Sequence, residues 1–377
     1  MNGSAYRPGR VIATRAHEYF ARHRAQTRET SCNTVASVAP AEAIEAAIDA
    51  AFRASLRREE GYIPRLTHAL LAPEEAVRPL MFAEALPLTP GGLAKLSPAV
   101  ARSGLHVGVW HLRDQLSAWG TVRSLPISCC VIEVAAPGLL VIKHRQGEQS
   151  RNLVNVAVLE GDQIKIVDER AATIVDYPPL VSSLLGSDAT SRLNSVDVLV
   201  ELALSMRTHG RGGALLVVPS DSDLWRESIV HPLPYAVRPR FAMLGELAGE
   251  SGVRLGREEE ADLSAAMEMI AGLTAVDGAT VITDRYELIA FGAKIARRDG
   301  HLRVEHVIVT EPIEDAAPAI VHPTHLGGTR HLSAAQFVHD QRNAVAMVAS
   351  QDGRFTVLSW SRSESMVRAH RVEALLL

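Results

Sequence analysis

The chain has 377 residues, of which 47% are hydrophobic, and its formal net charge at pH 7 is −4. This length and hydrophobic content predict two folded domains and exclude a disordered chain. The small negative charge argues against nucleic acid or an anionic membrane surface as a partner, whereas a small anion bound at a local site stays open.

The three cysteines form neither a zinc-binding pattern nor a redox pattern. Cys129 and Cys130 are adjacent within an apolar run, and Cys32 stands alone, so we expect buried thiols. The first 24 residues are arginine-rich without an apolar core, and no run of about 18 apolar residues occurs. The sequence therefore predicts a soluble cytoplasmic protein without a membrane span.

The N-terminal part predicts a flexible arm followed by an α+β domain. The first forty residues are rich in Arg, Ala, Ser and Thr, residues 27–39 lack any period, and residues 1–39 are expected to form the arm. Residues 40–58 have apolar positions at spacings of three and four, which is typical of an amphipathic helix. Thr89 followed by Pro90 predicts the start of a short helix that continues to Val100.

Between residues 107 and 167, five or six short apolar runs alternate with glycine, proline or charged turns. This spacing predicts an antiparallel meander. The Ser/Gly/Asp/Asn-rich stretch at 182–195 then interrupts the pattern, and we place the domain boundary near residue 185. The α+β domain is thus predicted at 40–185.

Residues 195–377 predict an α/β domain with a mixed central sheet flanked by helices. Helical periods occur at 196–207 and 262–273, and the continuous apolar run 214–218 predicts a buried strand. Further strands are expected between residues 280 and 360. Ser361 and Glu364 have the spacing of a capping box, which predicts a final helix over 366–377.

Two short motifs in this domain can carry chemistry. Asp277, Gly278 and Ala279 stand before a predicted strand, where the carboxylate can hold a hard divalent cation, although Asp-Gly is also a common turn. Gly328, together with the residues that follow it, precedes a predicted helix. Gly328, Thr329, Arg330 and His331 bring together backbone N–H groups, a hydroxyl, a guanidinium and an imidazole. This combination is typical of an anion site, and a plain structural turn is the alternative.

The order of these motifs and of the elements around them resembles the diadenylate cyclase domain. The resemblance covers residues 195–362 and joins the Asp-Gly-Ala motif, the Gly-Thr-Arg-His motif and an acidic-glycine turn after a strand. It suggests a divergent, sensor-like member of that superfamily, of the type called DACNV.

The resemblance implies a pocket for ATP or a related cyclic adenine nucleotide. Asp277 would hold the catalytic metal, Mg²⁺ or Mn²⁺, when nucleotide binds through metal. The other implied ligand contacts are Gly278, Ala279, Gly328, Thr329, Arg330, His331 and Ser350. Such cyclases work as face-to-face dimers that make cyclic di-AMP from two ATP molecules, so a homo-oligomer and a downstream effector are further expectations.

Two departures from the family's motifs favour a sensor over an enzyme. Leu332 stands where a second arginine usually follows the histidine, and Gln351 with Asp352 replaces a pair of glutamates. Loss of such an arginine removes charge stabilisation from phosphoryl transfer. The alternatives are an active cyclase that uses Asp277 and Asp352, with Arg211 or Arg342 replacing the arginine, and a scaffold that binds no nucleotide.

Overall fold

The computed structural model describes residues 6–30, 35–101, 104–145, 153–168, 198–249 and 257–377. The chain divides into two compact units, Met1–Val167 together with Leu377, and Asp168–Leu376. The boundary predicted near residue 185 lies outside the described residues. Each unit combines helices with a large sheet containing parallel and antiparallel pairs, which confirms the predicted α/β class.

The first unit begins with a helix where the sequence predicts a flexible arm. Helix α1 spans Arg7–Thr30 and buries Ile12, Ala16 and Phe20 along one side. Just before it, the ring of Tyr6 stacks on Phe52 with a centroid distance of 3.7 Å. The arm prediction is wrong for this stretch because the many arginines mask an apolar spacing of three and four, which gives the helix a face to bury.

The described residues of the first unit contain two more α-helices and eight strands. The helices are α2 (Ala41–Ser55) and α3 (Pro90–Val100), and the hydroxyl of Thr89 accepts a hydrogen bond from Gly92 N at 3.1 Å as the predicted N-cap. The strands are β1 (Leu66–Leu70), β2 (Leu80–Pro87), β3 (His106–Leu112), β4 (Gln115–Val122), β5 (Cys130–Ala136), β6 (Leu139–Arg145), β7 (Leu153–Glu160) and β8 (Gln163–Ile166).

The sheet of this unit is mixed, and only part of it is the predicted meander. Its order is β2-β4-β3-β1-β5-β6-β7-β8, and β5 to β8 follow one another as antiparallel neighbours. Strand β1 is inserted between β3 and β5 and runs parallel to β3. The helices cover one face, where side chains such as Phe20, Ile44 and Leu93 pack with Ile132 and Leu140.

The second unit has four described helices and nine strands. The helices are α4 (Val198–Thr208), α5 (Met243–Gly249), α6 (Arg257–Leu273) and α7 (Thr329–Asp340). The strands are β9 (Gly213–Val218), β10 (Tyr235–Phe241), β11 (Ala279–Thr283), β12 (Leu288–Ala293), β13 (Val307–Thr310), β14 (Ala319–Val321), β15 (Val345–Ala349), β16 (Phe355–Ser361) and β17 (Met366–Arg371).

Strand β9 lies near the middle of the second sheet, whose order is β10-β12-β11-β9-β15-β16-β17-β13-β14. It is parallel to β11 on one side and antiparallel to β15 on the other. All six of its residues are buried, as expected for a central strand covered on both faces. Helix α7 packs against β9, β15, β16 and β17 and places Phe337 and Val338 in the core.

One prediction for this unit is wrong. The final helix predicted over 366–377 is replaced by β17, because Val367 and Ala369 alternate into the core at the period of a strand, and Arg368 and His370 are also buried. The proline-rich stretch after β9 contains β10. Its Pro239 is tolerated because β10 lies at the edge of the sheet. In the described part of the chain, no helix is long and apolar enough to cross a membrane.

Phe337→Ala tests whether α7 is held by its apolar face. Phe337 is fully buried, so its truncation leaves a cavity, and we expect the free energy of unfolding to fall by about 3–5 kcal/mol. Leu302→Ala, at a leucine that is 80% exposed in the same unit, is the control and should change it by less than about 0.5 kcal/mol. Urea unfolding followed by circular dichroism measures both. Equal losses in the two variants would contradict this packing.

Candidate functional site

Five strand ends meet at one end of the second sheet. The parallel strands β9 and β11 begin there, at Gly213 and Ala279. The neighbouring strands β12 and β15 end there, because Ala293 pairs with Ala279 and Ala349 pairs with Gly213. Strand β16 begins opposite Ala349 at Phe355. The loops next to these ends therefore lie side by side. They include or adjoin both sequence motifs of the predicted pocket.

Gly278 is required by the backbone geometry at this place. Its φ angle is +113°, in the region that side chains disfavour, and a methyl group on it would lie 2.5 Å from the carbonyl carbon of Gly292. The close approach of these two backbones sets the start of β11. Ala279, the first residue of that strand, is 1% exposed and lines the core. The Asp-Gly-Ala motif is thus a tight strand entrance that leaves its aspartate outside.

The carboxylate of Asp277 is paired with an ammonium group. Its side chain is 89% exposed and forms an ion pair with Lys294, the residue that follows β12. The hydrogen bond from Lys294, and then its charge, lower the pKa of Asp277, and Arg330 adds a smaller contribution. Asp277 is therefore ionised at neutral pH, and the positive charge of Arg330 acts on it.

Arg330 lies against the loop that enters β9. A methyl group on Gly212, whose φ angle is +71°, would lie 3.3 Å from Nη1 of Arg330 and 3.3 Å from the carbonyl oxygen of Ala349. The guanidinium is half-buried and has no hydrogen bond or ion pair with any residue that the structure describes. Such a group is available for an anionic ligand.

The turn between β15 and β16 closes another side of the site. The amide of Gln351 donates to the carbonyl oxygen of Arg211 at 3.4 Å, so the turn contacts the loop that enters β9. The hydroxyl of Ser350 donates to Asp352 and, as the largest contribution, lowers the pKa of that carboxyl. Ser350 therefore caps its own turn. We define the sheet-end site as Gly212, Asp277, Lys294, Arg330 and Gln351.

His331 points into the protein and not toward the sheet-end site. The residue is 2% exposed, and Nε2 lies 3.3 Å from the hydroxyl of Thr356 on β16. A methyl group on Gly327 would lie 2.6 Å from Nδ1, so the ring packs closely on the glycine turn. Burial lowers the pKa of His331 to about 4. The imidazole is therefore neutral at pH 7 and positions the start of α7.

Gly328 and Thr329 lie at the exposed N-terminus of α7. Gly328 is the N-cap residue, and its carbonyl oxygen accepts from His331 N at 3.0 Å. A methyl group on Gly328 would have no described atom within 4 Å, so packing does not demand glycine there. The space beside Gly328 is open, and the first two N–H groups of α7, those of Thr329 and Arg330, have no acceptor within the helix.

Leu332 lines a cleft on another side of the α7 N-terminus. The cleft has a volume of about 380 Å³, and we call it the α7 cleft. Its lining combines two arginines with apolar and neutral polar side chains: Ile295, Ala296, Arg297, Arg303, Leu332, Ser333 and Gln336. Arg342, considered above as a replacement for the missing arginine, stacks on Trp360 at 4.2 Å and follows the other end of the 12-residue helix.

The residues of the sheet-end site do not fit a resident metal ion. Asp277 is the carboxylate expected to hold it, and Lys294 already occupies that carboxylate. Across the described ranges, no group of three or more His, Cys, Asp or Glu side chains is arranged to hold a metal. Asp352 contributes its oxygens to Ser350, to Arg354 N and to the Arg354 side chain. The protein groups alone thus supply too few free oxygens for Mg²⁺ or Mn²⁺.

The sequence motifs did not identify Lys294 or Gly212 as parts of the site. Lys294 stands one residue after β12, and the pairing of Ala293 with Ala279 brings it next to Asp277. Sequence alone could have suggested it only through the hairpin register. The positive φ of Gly212 is that of a tight turn, and its contact with Arg330 depends on where α7 packs.

Comparison with known families gives a match to part of the first unit. A family model described as probable sensor domain DACNV matches residues 33–123. The matched segment contains α2, α3 and β1 to β4, and these four strands are neighbours in the sheet, in the order β2-β4-β3-β1. It covers about a quarter of the chain and does not extend to residues 195–362, where the sequence resembles the diadenylate cyclase domain. No curated protein matches the chain.

His331→Gln tests the burial of this imidazole through the pH dependence of stability. The unfolded chain takes up the proton near pH 6.5 and the folded chain near pH 4, so protonation favours unfolding and stability falls as the pH drops through that window. The free energy of unfolding of the wild type should therefore fall between pH 7 and pH 4.5. We expect this fall to be smaller in the variant by about 1–3 kcal/mol.

Urea titrations at the two pH values measure this loss. His306→Gln, at an exposed histidine of the same unit, is the control and should leave the pH dependence unchanged. Identical pH dependence in the wild type and in His331→Gln would mean that the ring is accessible to protons in the folded protein.

Proposed function

We propose that the second unit binds an adenine nucleotide or a cyclic dinucleotide at the sheet-end site, and that the protein is a sensor of this ligand. The observation that carries the proposal is the half-buried guanidinium of Arg330, which has no hydrogen bond or ion pair with the described residues and lies beside the open N-terminus of α7. A phosphate suits such a place because it accepts from the guanidinium and from backbone N–H groups together.

The surroundings of Arg330 support a phosphate more than a carboxylate-rich ligand. Lys294 adds a second cation, the missing side chain of Gly212 leaves room for Arg330, and the backbone of Gly328 is open to close approach. Asp277 partly neutralises this charge, so the site favours a ligand with more than one negative charge. The adenine part of the proposal is based on the resemblance to the diadenylate cyclase domain, and the sensor part is supported by the DACNV match in the first unit.

Three features favour binding without turnover. Leu332 brings no charge to the phosphates, Gln351 cannot act as a carboxylate, and the ion pair with Lys294 occupies the carboxylate that the resemblance assigns to a metal. Phosphoryl transfer depends on neutralising the charge that develops on phosphate, so these differences act against the chemical step. The proposed ligand therefore binds and dissociates unchanged, and a downstream effector responds to the occupied state.

Calorimetry with ATP, ADP and cyclic di-AMP, each with and without Mg²⁺ or Mn²⁺, tests the binding proposal. We expect at least one of these ligands to bind at or below millimolar concentration. Arg330→Ala should weaken that binding about 10- to 100-fold, because a charge-assisted hydrogen bond is lost. Arg362→Ala, in the exposed turn between β16 and β17, is the control and should change Kd by less than about threefold.

Two results would contradict this proposal. Absence of binding by the wild type up to millimolar ligand would leave the scaffold interpretation. Binding that is equally strong in Arg330→Ala would place the ligand at a different site.

Incubation with ATP and Mn²⁺, followed by chromatography, tests whether the second unit is an enzyme. We expect no cyclic di-AMP above the level of a protein-free control, because a cation and a free carboxylate are lacking. Asp277→Asn provides the matched variant. Product that forms with the wild type and disappears in Asp277→Asn would establish the active cyclase in place of the sensor.

A further inference from the structure

An exposed aromatic ring lies at the same end of the second sheet as the sheet-end site. Tyr235 is the first residue of β10 and pairs with Phe291 on β12, two residues before that strand ends at Ala293. Because β12 ends at the sheet-end site, this register brings the start of β10 to the same place. Tyr235 is 50% exposed, which is unusual for an aromatic residue of a strand.

One face of the Tyr235 ring is covered and the other face is open. The ring stacks on Phe291, with a centroid distance of 4.7 Å and an interplanar angle of 5°. Strand β10 is at the end of the described sheet order, so no described strand covers the opposite face of the ring. The exposed half of the residue agrees with this arrangement. Tyr235 thus presents a free π-face in an orientation that Phe291 fixes, and a planar ligand group can stack on such a face.

The ring also contacts the backbone that forms the sheet-end site. A methyl group on Gly292, whose φ angle is +64°, would lie 2.8 Å from Cδ2 of Tyr235 and 3.5 Å from the carbonyl oxygen of Asp277. The ring of Tyr235 and the backbone of Asp277 therefore flank one point, which only a glycine leaves free. These two distances join the aromatic surface to the sheet-end site without a gap that another side chain could fill.

The nearest cation lies a short distance along the same chain. Lys294 follows Gly292 by two residues, so their Cα atoms are at most about 7 Å apart. The stretch that leads into β10 is tied to this segment at both ends. Val230 N donates to the carbonyl oxygen of Lys294 at 2.8 Å, and Tyr235 pairs with Phe291. The ring and the ammonium group thus belong to one hydrogen-bonded frame, as a preorganised site requires.

Asp277 connects the aromatic part of this surface with its cationic part. Its backbone lies beside the Tyr235 ring, its carboxylate forms an ion pair with Lys294, and the positive charge of Arg330 acts on that carboxylate. A ligand at this place meets a planar apolar surface and two cations. A nucleotide has the matching chemistry, because a planar base is joined to its phosphates through a single ribose.

We propose that Tyr235 is the base-stacking residue of the sheet-end site, and that the outer face of its ring binds the base of a nucleotide whose phosphates meet Arg330 and Lys294. This inference rests on the proposed function, which assigns the phosphates to Arg330. Stacking accepts every base, since each has a π-face. Tyr235 therefore makes the site favour a nucleotide over a bare polyphosphate, and it does not choose among bases.

Tyr235→Ala tests the inference by calorimetry with ATP, with cyclic di-AMP and with tripolyphosphate, which carries a phosphate chain without a base. We expect Kd for the nucleotides that bind to rise about 10-fold or more, because the stacking surface is lost, and Kd for tripolyphosphate to change by less than about threefold. Tyr235→Phe keeps the ring and should stay within about threefold of the wild type. Tyr62→Ala, at a tyrosine that is 79% exposed in the first unit, is the matched control. Circular dichroism confirms that each variant is folded.

Tyr235→Trp gives a direct optical readout of the same contact. A base that stacks on the introduced indole should quench its fluorescence, measured as the difference from the wild type at equal ligand concentration. We expect this quenching with the nucleotide that binds and none with tripolyphosphate. Tyr62→Trp is the control and should show no quenching beyond that of the wild type.

The outcomes separate this inference from the proposed function. If the wild type binds a nucleotide and Tyr235→Ala binds it equally well, the stacking inference fails and the proposed function stands. If Tyr235→Ala weakens tripolyphosphate as much as the nucleotide, the ring only supports the backbone and the inference is overturned. If Arg330→Ala leaves nucleotide binding intact and Tyr235→Ala removes it, the phosphate assignment fails while stacking stands. A wild type that binds no nucleotide rejects both.

Discussion

The hydrogen-bonded position of β9 between β11 and β15 is the constraint on which the second unit depends. The parallel pair fixes where β11 begins, and the antiparallel pair fixes where β15 ends, so both registers determine which loops meet. Slipping either pair by one residue would also move every side chain of a strand to the opposite face of the sheet, where a different set of buried neighbours is already packed. The arrangement of the sheet-end site is thus a consequence of core packing. Its residues contribute little to the core, but their positions follow from the strands that the core holds in register.

Elements with one strong local pattern could be predicted from sequence, and elements decided by long-range pairing could not. Helix α2 and the Thr89 cap follow from apolar spacing and cap chemistry. The insertion of β1 beside β3 has no local signal, and β17 has residues that suit a helix until its neighbours supply strand partners. In the site, the motif glycines could be found because backbone geometry demands them, whereas the inward orientation of His331 depends on contact with β16.

The two units have separate indications of function. The family match identifies a probable sensor domain within residues 33–123, and the cation-rich surface described above lies in the second unit. Each unit has its own sheet and its own core. A substitution in a loop of the sheet-end site is therefore expected to leave the core of the first unit intact. The family match therefore says nothing about the function of the second unit. That function has to be inferred from the side chains of the second unit.

The ion pair between Asp277 and Lys294 gives the site an internal competitor. An incoming phosphate that reaches Lys294 has to displace a carboxylate that is tethered by the chain and therefore present at a high effective concentration. This competition weakens every ligand by a similar factor but is overcome most easily by ligands with several charges. The pair would thus raise the ligand concentration at which the proposed site fills, by the modest factor that an exposed ion pair can contribute.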